Sequence, residues 1–141
     1  MDKMGFWNTR GLNRPDKQRK VMLFLHNSKV SLFVLLETKI KRDKAPKATL
    51  NLYEGWSFTT NLSMHLGGRI WVVWKPVVFD VNINMITKQL IHCKVHHKRD
   101  SQKISIIFVY GFNDQGLRRS LWESIGRIHS FVQEPWAIMG D

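Results

Sequence analysis

The chain has 141 residues, enough for one ordinary domain, and 43% of them are hydrophobic, which is a globular composition. Its 22 basic and 11 acidic side chains give a formal charge of +11, which favours a polyanionic partner, most simply nucleic acid. A single cysteine excludes an internal disulfide, and no apolar run is long enough to cross a bilayer. The N-terminus lacks the apolar core of a signal peptide, so we expect a nuclear or cytoplasmic protein without a membrane partner.

The first elements predict a βαβ unit. Residues 4–8 and 30–36 have the short apolar runs of strands, and a helix between them begins at Pro15 and ends at residues 27–28. Pro15 suits the first helical turn, because its missing N–H has no partner there in any case. A strand, a helix and a second strand predict a parallel pair with a right-handed crossover.

The middle of the chain predicts consecutive strands. Residues 39–51 are basic and contain Pro46, so we interpret them as a loop with one short helix near residues 45–52. Apolar or alternating runs then predict strands over residues 56–60, 70–74, 77–86, 90–97 and 104–110, with a turn at residues 67–68. Successive strands of this kind favour an antiparallel meander. A second amphipathic helix over residues 118–132 and a strand over residues 136–139 complete the pattern.

Four polar side chains stand at or just after predicted strand ends: Asn8, Glu37, Tyr110 and Asp141. If these ends converge, two carboxylates, an amide and a phenol face one crevice of a basic protein. Mg²⁺ prefers oxygen ligands, and one or two carboxylates typically hold it while a substrate phosphate completes its shell. The arrangement therefore predicts metal-assisted chemistry on a phosphate, with Glu37 as the first candidate ligand.

Basic residues lie close to Glu37 in the sequence. We assign nucleic-acid contacts to Lys39, Lys41, Arg42 and Arg10, with a solvated surface as the alternative for the cluster at residues 39–47. The histidines and the cysteine of residues 92–97 suggest a zinc site, but alternation along a strand splits them between its two faces. We interpret that segment as a polar strand face.

Five short segments occur in a fixed order: residues 7–12 (WNTRGL), 36–39 (LETK), 67–71 (GGRIW), 109–111 (VYG) and 139–141 (MGD). Together they resemble the endonuclease–exonuclease–phosphatase superfamily, which includes DNase-I-like and abasic-site nucleases. The likeness is greatest to the N-terminal endonuclease domain of plant non-LTR (LINE-type) retrotransposon polyproteins. Leu-Trp at residues 121–122 and Pro-Trp at residues 135–136 are typical of that plant group.

The resemblance implies a four-layer α/β sandwich of two mixed sheets with outer helices, of which residues 1–141 are the N-terminal portion of a single domain. It implies Glu37 as principal Mg²⁺ ligand, with Mn²⁺ as an alternative ion, and Asn8 as support for the metal or phosphate site. Tyr110 would contact the scissile phosphate and Asp141 would orient or activate the attacking water. It also implies a monomeric domain that nicks DNA and is normally fused to a reverse transcriptase.

The chain departs from the family pattern at its end. In the family, Gly-Asp is followed by Phe-Asn and later by a Ser-Asp-His motif, and this chain has neither. We therefore expect the chain alone to be inactive or nearly so, because groups that act as a unit fail together. We also expect an exposed sheet face and poor solubility. The alternatives are a non-catalytic nucleic-acid-binding remnant and a phosphatase of the same superfamily acting on inositol phosphates or lipids.

Overall fold

The computed structural model describes residues 3–12, 14–39, 55–64 and 69–140. Within these ranges the elements are, in order, β1 (Lys3–Asn8), α1 (Pro15–Asn27), β2 (Val30–Leu36), β3 (Ser57–Thr60), β4 (Ile70–Trp74), β5 (Phe79–Ile86), β6 (Leu90–His97), β7 (Lys103–Val109), α2 (Arg119–Phe131) and β8 (Trp136–Gly140). The predicted helix near residues 45–52 and the turn at residues 67–68 lie outside the described residues. Neither described helix is long and apolar enough to span a membrane.

The first sheet has the strand order β1-β2-β4-β3. β1 and β2 are parallel, with Asn8 opposite Leu36, which confirms the parallel pair predicted for the βαβ unit. β4 lies antiparallel to both β2 and β3, and its first residue, Ile70, is also opposite Leu36. The carboxyl ends of β1 and β2 and the beginning of β4 therefore lie at one edge of this sheet.

The second sheet has the strand order β5-β6-β7-β8, with an antiparallel meander from β5 to β7 and a parallel pair of β7 and β8. The prediction of one continuous meander was wrong at the step from β4 to β5. Both edges of β4 are already paired, with β2 and β3, so β5 has no free edge to join. The backbone N–H groups of Val78 and Phe79 instead bond to the Lys75 carbonyl at 3.0 and 3.1 Å, which turns the chain into the other sheet. β5 for this reason begins at Phe79, two residues later than predicted.

Alternation along the strands builds four layers. On β2, Phe33 and Leu35 pack with α1, whereas Leu32, Val34 and Leu36 pack with the second sheet. On β7, the apolar side chains divide in the same way between the inter-sheet core and the core beneath α2. The order of layers is thus α1, first sheet, second sheet, α2. This confirms the predicted α/β sandwich with mixed sheets and flanking helices.

Candidate functional site

The candidate site lies at one end of the interface between the two sheets. Asn8 ends β1, Glu37 follows β2 directly, and Tyr110 follows β7 directly. Tyr110 also packs against the inter-sheet core, which brings the end of the second sheet to the edge shared by β1 and β2. The structure therefore brings together three of the four predicted polar residues, and Asp141 lies outside the described residues.

Glu37 is surrounded by donors. Its carboxylate accepts hydrogen bonds from Lys39, Asn8 and Tyr110, and the Lys39 Nζ atom lies 3.2 Å from its Oε1 atom. Burial acts to raise the pKa of Glu37, but these hydrogen bonds and the Lys39 charge outweigh it and hold the pKa below its ordinary value. Glu37 is consequently ionised at neutral pH, as a metal ligand must be.

Asn8 is oriented by the backbone that follows it. Its Oδ1 atom accepts a hydrogen bond from the Arg10 N–H at 3.0 Å. Because the amide oxygen is engaged there, the NH₂ group is the part of Asn8 that donates to Glu37. Asn8 in this arrangement supports the site by fixing the carboxylate of Glu37.

Tyr110 contributes a protonated phenol. Burial raises its pKa above the ordinary value, and the charge of Glu37 and the hydrogen bond to it raise the pKa further, while Arg69 acts in the opposite direction. The hydroxyl therefore remains a donor at neutral pH. The Arg69 guanidinium carbon lies 5.3 Å from the centre of the Tyr110 ring, in a cation–π contact.

The backbone beneath the site is strained and tightly bonded. Arg10, Glu37 and Lys39 all have left-handed φ angles, of 51°, 55° and 55°, which are uncommon for residues other than glycine. The loop after β1 is tied to the segment after β2 by hydrogen bonds from Gly11 N to the Glu37 carbonyl at 2.7 Å and from Leu12 N to the Thr38 carbonyl at 2.6 Å. Such strain persists only where surrounding contacts determine it, and it is frequent at functional sites.

Two further residues of the candidate site carry no clear signal in the sequence. Arg69 belongs to the GGRIW segment, but nothing local indicated that its side chain reaches Tyr110 on the other sheet. Gln89 is buried, and it accepts hydrogen bonds from Tyr110 N through its carbonyl and from Phe112 N through its Oε1 atom, at 2.9 and 2.8 Å. Gln89 thus holds the segment that carries Tyr110. An uncharged polar residue at the start of a strand was the only available signal.

The predicted nucleic-acid contacts are described in part. Lys39 pairs with Glu37 and keeps half of its side chain exposed, and Arg10 is exposed in the loop after β1. Lys41 and Arg42 lie outside the described residues. The histidine and cysteine segment is divided as predicted, because Cys93 lies in the inter-sheet core while the His92 Nε2 atom contacts the Ser105 hydroxyl. Burial raises the pKa of the Cys93 thiol to about 12, so the thiol is protonated at neutral pH.

The donors at the site suit a hard cation. Among the residues that the structure describes, no three His, Cys, Asp or Glu side chains gather into a group that could hold a metal ion. Mg²⁺, however, commonly uses one or two carboxylates and takes its other ligands from water and substrate phosphate. The ionised Glu37, fixed by Asn8, fits that requirement with oxygen chemistry.

Comparison with known proteins gives matches in structure alone. No family model and no curated protein matches the chain in sequence. The endonuclease domain of TRAS1, a telomere-specific non-LTR retrotransposon, matches with a TM-score of 0.72 at 13% identity, over 96% of this chain and 58% of that one. The AP endonuclease LMAP from Leishmania major matches with a TM-score of 0.69 at 19% identity, over 96% of this chain and 53% of that one.

A third match is D. rerio TDP2 complexed with single-strand DNA product, with a TM-score of 0.68 at 14% identity, over 96% of this chain and 57% of that one. The chain therefore spans a little over half the length of these three structures. At such identities the likeness concerns the fold. The chain has the mixed α/β fold of the endonuclease/exonuclease/phosphatase, or DNase-I-like, proteins.

Proposed function

We propose that this chain carries the metal-binding part of a Mg²⁺-dependent endonuclease that nicks DNA for a retroelement. The observation that supports it most directly is the ionised Glu37, which accepts hydrogen bonds from Asn8 and Tyr110 where strands of a DNase-I-like fold end. The match to a retrotransposon endonuclease domain and the five sequence segments favour this branch of the fold.

In this proposal Glu37 holds Mg²⁺, with Mn²⁺ as a substitute, and Asn8 keeps the carboxylate in position. Mg²⁺ held there would supply Lewis acidity, polarising a phosphoryl oxygen and stabilising the leaving oxygen. The Tyr110 hydroxyl donates a hydrogen bond to the scissile phosphate. Asp141 orients or activates the attacking water, the role that the resemblance implies for it.

DNA is the proposed partner. The formal charge of +11 attracts a polyanion, and Lys39, Lys41, Arg42 and Arg10 contact its backbone. One protein of the same fold has been crystallised with a single-strand DNA product. We further propose that the domain acts as a monomer, as part of a polypeptide that also carries a reverse transcriptase.

The chain alone is expected to show little or no cleavage. It spans 58% of the TRAS1 endonuclease domain that it matches, and its 141 residues contain neither the Phe-Asn that follows Gly-Asp in the resembling family nor the later Ser-Asp-His segment. Positioned groups that act together lose most of their effect when one of them is missing.

Plasmid nicking tests the proposal. Two proteins are assayed, the chain itself and the product of its reading frame continued past the Asp141 codon. Each is incubated with plasmid in the presence of Mg²⁺ and, separately, of EDTA. We expect the continued product to nick only with Mg²⁺, and Glu37→Gln to lower the rate by roughly 100-fold or more, because a principal metal ligand is lost. Glu123→Gln, on the exposed surface of α2, is the matched control and should leave the rate unchanged.

Each other result has a defined meaning. Equal nicking by wild type and Glu37→Gln would exclude Glu37 as the metal ligand. Nicking by the chain alone, clearly above its EDTA control, would contradict the expected inactivity. DNA binding without any cleavage, or a stop codon directly after Asp141, would favour the non-catalytic nucleic-acid-binding remnant. Release of inorganic phosphate from inositol phosphates without nicking would favour the phosphatase.

A further inference from the structure

Arg69 is fixed beside Glu37 by its backbone. It directly precedes β4, and its carbonyl accepts a hydrogen bond from the Glu37 N–H at 2.7 Å. The next residue, Ile70, pairs with Leu36 across the antiparallel strands β2 and β4. The side chain of Arg69 therefore begins at the same sheet edge as Glu37.

The side chain crosses from the first sheet to the second. Its guanidinium carbon lies 5.3 Å from the ring centre of Tyr110, and Arg69 also hydrogen-bonds to the Tyr110 side chain. A planar guanidinium keeps most of its donors available while it lies over an aromatic ring. Arg69 thus brings a positive charge to the phenol that faces Glu37.

The donors of Arg69 are not all used within the described part of the chain. Its Nε atom is buried and has no hydrogen-bond partner, and no described carboxylate lies within ion-pair distance of its guanidinium. Glu37 is paired with Lys39 instead, at 3.2 Å. A buried donor left without an acceptor is unfavourable, while the Arg69 side chain as a whole is only partly buried. A phosphate, with two free oxygens in a plane, is the acceptor that a guanidinium fits best.

We propose that Arg69 binds a backbone phosphate of the nucleic acid next to the Tyr110 hydroxyl. The inference rests on the proposed function to the extent that nucleic acid is the substrate. It assigns to Arg69 a direct contact with that substrate, and it adds a positioning effect on Tyr110 through the stacked ring. Because Arg69 makes this phosphate contact, Lys39 can stay paired with the Glu37 carboxylate until metal or DNA binds.

Equilibrium binding to a fluorescent DNA duplex tests this inference. Anisotropy is measured in EDTA, over about 50 to 200 mM salt, so that no cleavage is required. We expect Arg69→Met to weaken binding about tenfold and to lower the slope of log affinity against log salt by about 1, because one phosphate contact is lost. Arg69→Lys should keep the slope and lose less affinity, since the charge remains and only the paired geometry is lost.

Arg99→Met is the matched control. Arg99 is exposed in the turn after β6, and the other end of β6, at Leu90, is the end that pairs with Val109 next to Tyr110. The same change of residue type therefore falls at the opposite end of the sandwich, and it should alter affinity and slope much less. Thermal melting of all three variants reports whether the fold is kept.

Two results would overturn the inference. Wild-type affinity and slope for Arg69→Met would show that the residue contacts no phosphate. A loss of affinity with an unchanged slope would show that Arg69 only supports Tyr110 by packing. The two proposals can also be told apart. If Arg69→Met lowers the salt slope but the product of the continued reading frame does not cleave DNA, the Arg69 contact is supported and the endonuclease is contradicted.

Discussion

At the scale of single residues, the site depends on which protonation states burial allows. Glu37 is only partly buried, and three donors compensate the loss of water, so its charge is kept. Ionised Tyr110 would have no comparable stabilisation, because the negative charge of Glu37 would repel the phenolate. The pair thus combines an ionised carboxylate with a neutral phenol, and our proposal assigns a cation to the first and a phosphate contact to the second.

His92 gives a pH-dependent prediction at this scale. The residue is fully buried and contacts the Ser105 hydroxyl. Burial lowers its pKa below the ordinary value of 6.5, the nearby Glu134 acts to raise it, and Lys94 acts to lower it. The unfolded chain consequently binds more protons than the folded chain just below pH 6.5, so the contribution of His92 to stability is complete above that pH and is lost as the pH falls.

We therefore expect the free energy of unfolding to decrease as the pH falls below 6.5, by about 1.4 kcal/mol for each unit by which folding lowers the pKa. Denaturant unfolding at several pH values measures the effect. His92→Gln should remove much of this pH dependence, whereas His26→Gln, at the exposed end of α1, should preserve it. An identical pH dependence for wild type and His92→Gln would contradict the assignment.

At the scale of elements, two glycines differ in whether a side chain can be added, one at the end of β8 and one within α2. Gly140 has φ of +146°, and a Cβ atom there would lie 2.0 Å from the Val109 carbonyl oxygen of the paired strand β7. Gly126 lies within α2, and a Cβ atom there would meet nothing within 4 Å. The same substitution should therefore have opposite effects at the two positions.

We expect Gly140→Ala to separate the end of β8 from β7 and to lower the free energy of unfolding by about 1 to 3 kcal/mol, because of the forbidden contact and the φ angle. Gly126→Ala should raise it by about 0.5 to 1 kcal/mol, since alanine favours the helix. Chemical denaturation of both variants beside wild type measures the two changes. Equal effects of both substitutions would show that the β7–β8 pairing at Val109 and Gly140 is not as described.

At the scale of the whole molecule, several large apolar side chains in and around α2 and β8 are exposed. Five large side chains there are exposed, by 57, 62, 58, 36 and 49% respectively: Leu117, Trp122, Phe131, Trp136 and Ile138. Large apolar side chains exposed to water promote association. The poor solubility and the monomer expected from the sequence both stay predictions.

We expect the chain to self-associate as its concentration rises, despite its charge, and sedimentation velocity measures this. The double substitution Trp122→Gln and Phe131→Gln should reduce association, because it removes two of the most exposed apolar side chains. Val77→Gln, at a residue that is 81% exposed in the turn before β5, is the control and should change little. A monodisperse wild-type monomer with a cooperative melt would contradict this prediction.

Local pattern was sufficient for most elements and for part of the site. The period of two along β2 and β7 and the helical spacing of α1 and α2 arise from residues close in sequence, so they can be recognised without a structure. Asn8, Glu37 and Tyr110 were chosen because polar groups at the ends of buried strands are unusual; the structure brings the three together, and their roles stay predictions. The assignment of Asp141 stays a prediction.

Pairing of distant strands was decided only by the tertiary structure. β4 and β5 are close in sequence, but the edges of β4 are taken by β2 and β3, and no local pattern reports which edges are free. The contact of Arg69 with Tyr110 and the support of Tyr110 by Gln89 likewise join segments far apart in the chain. The sequence by itself determined the elements and the charged strand ends, because those follow from short-range geometry. Which side chains meet was decided only by the packing of the two sheets, because contacts between distant segments depend on how all the elements are arranged in three dimensions.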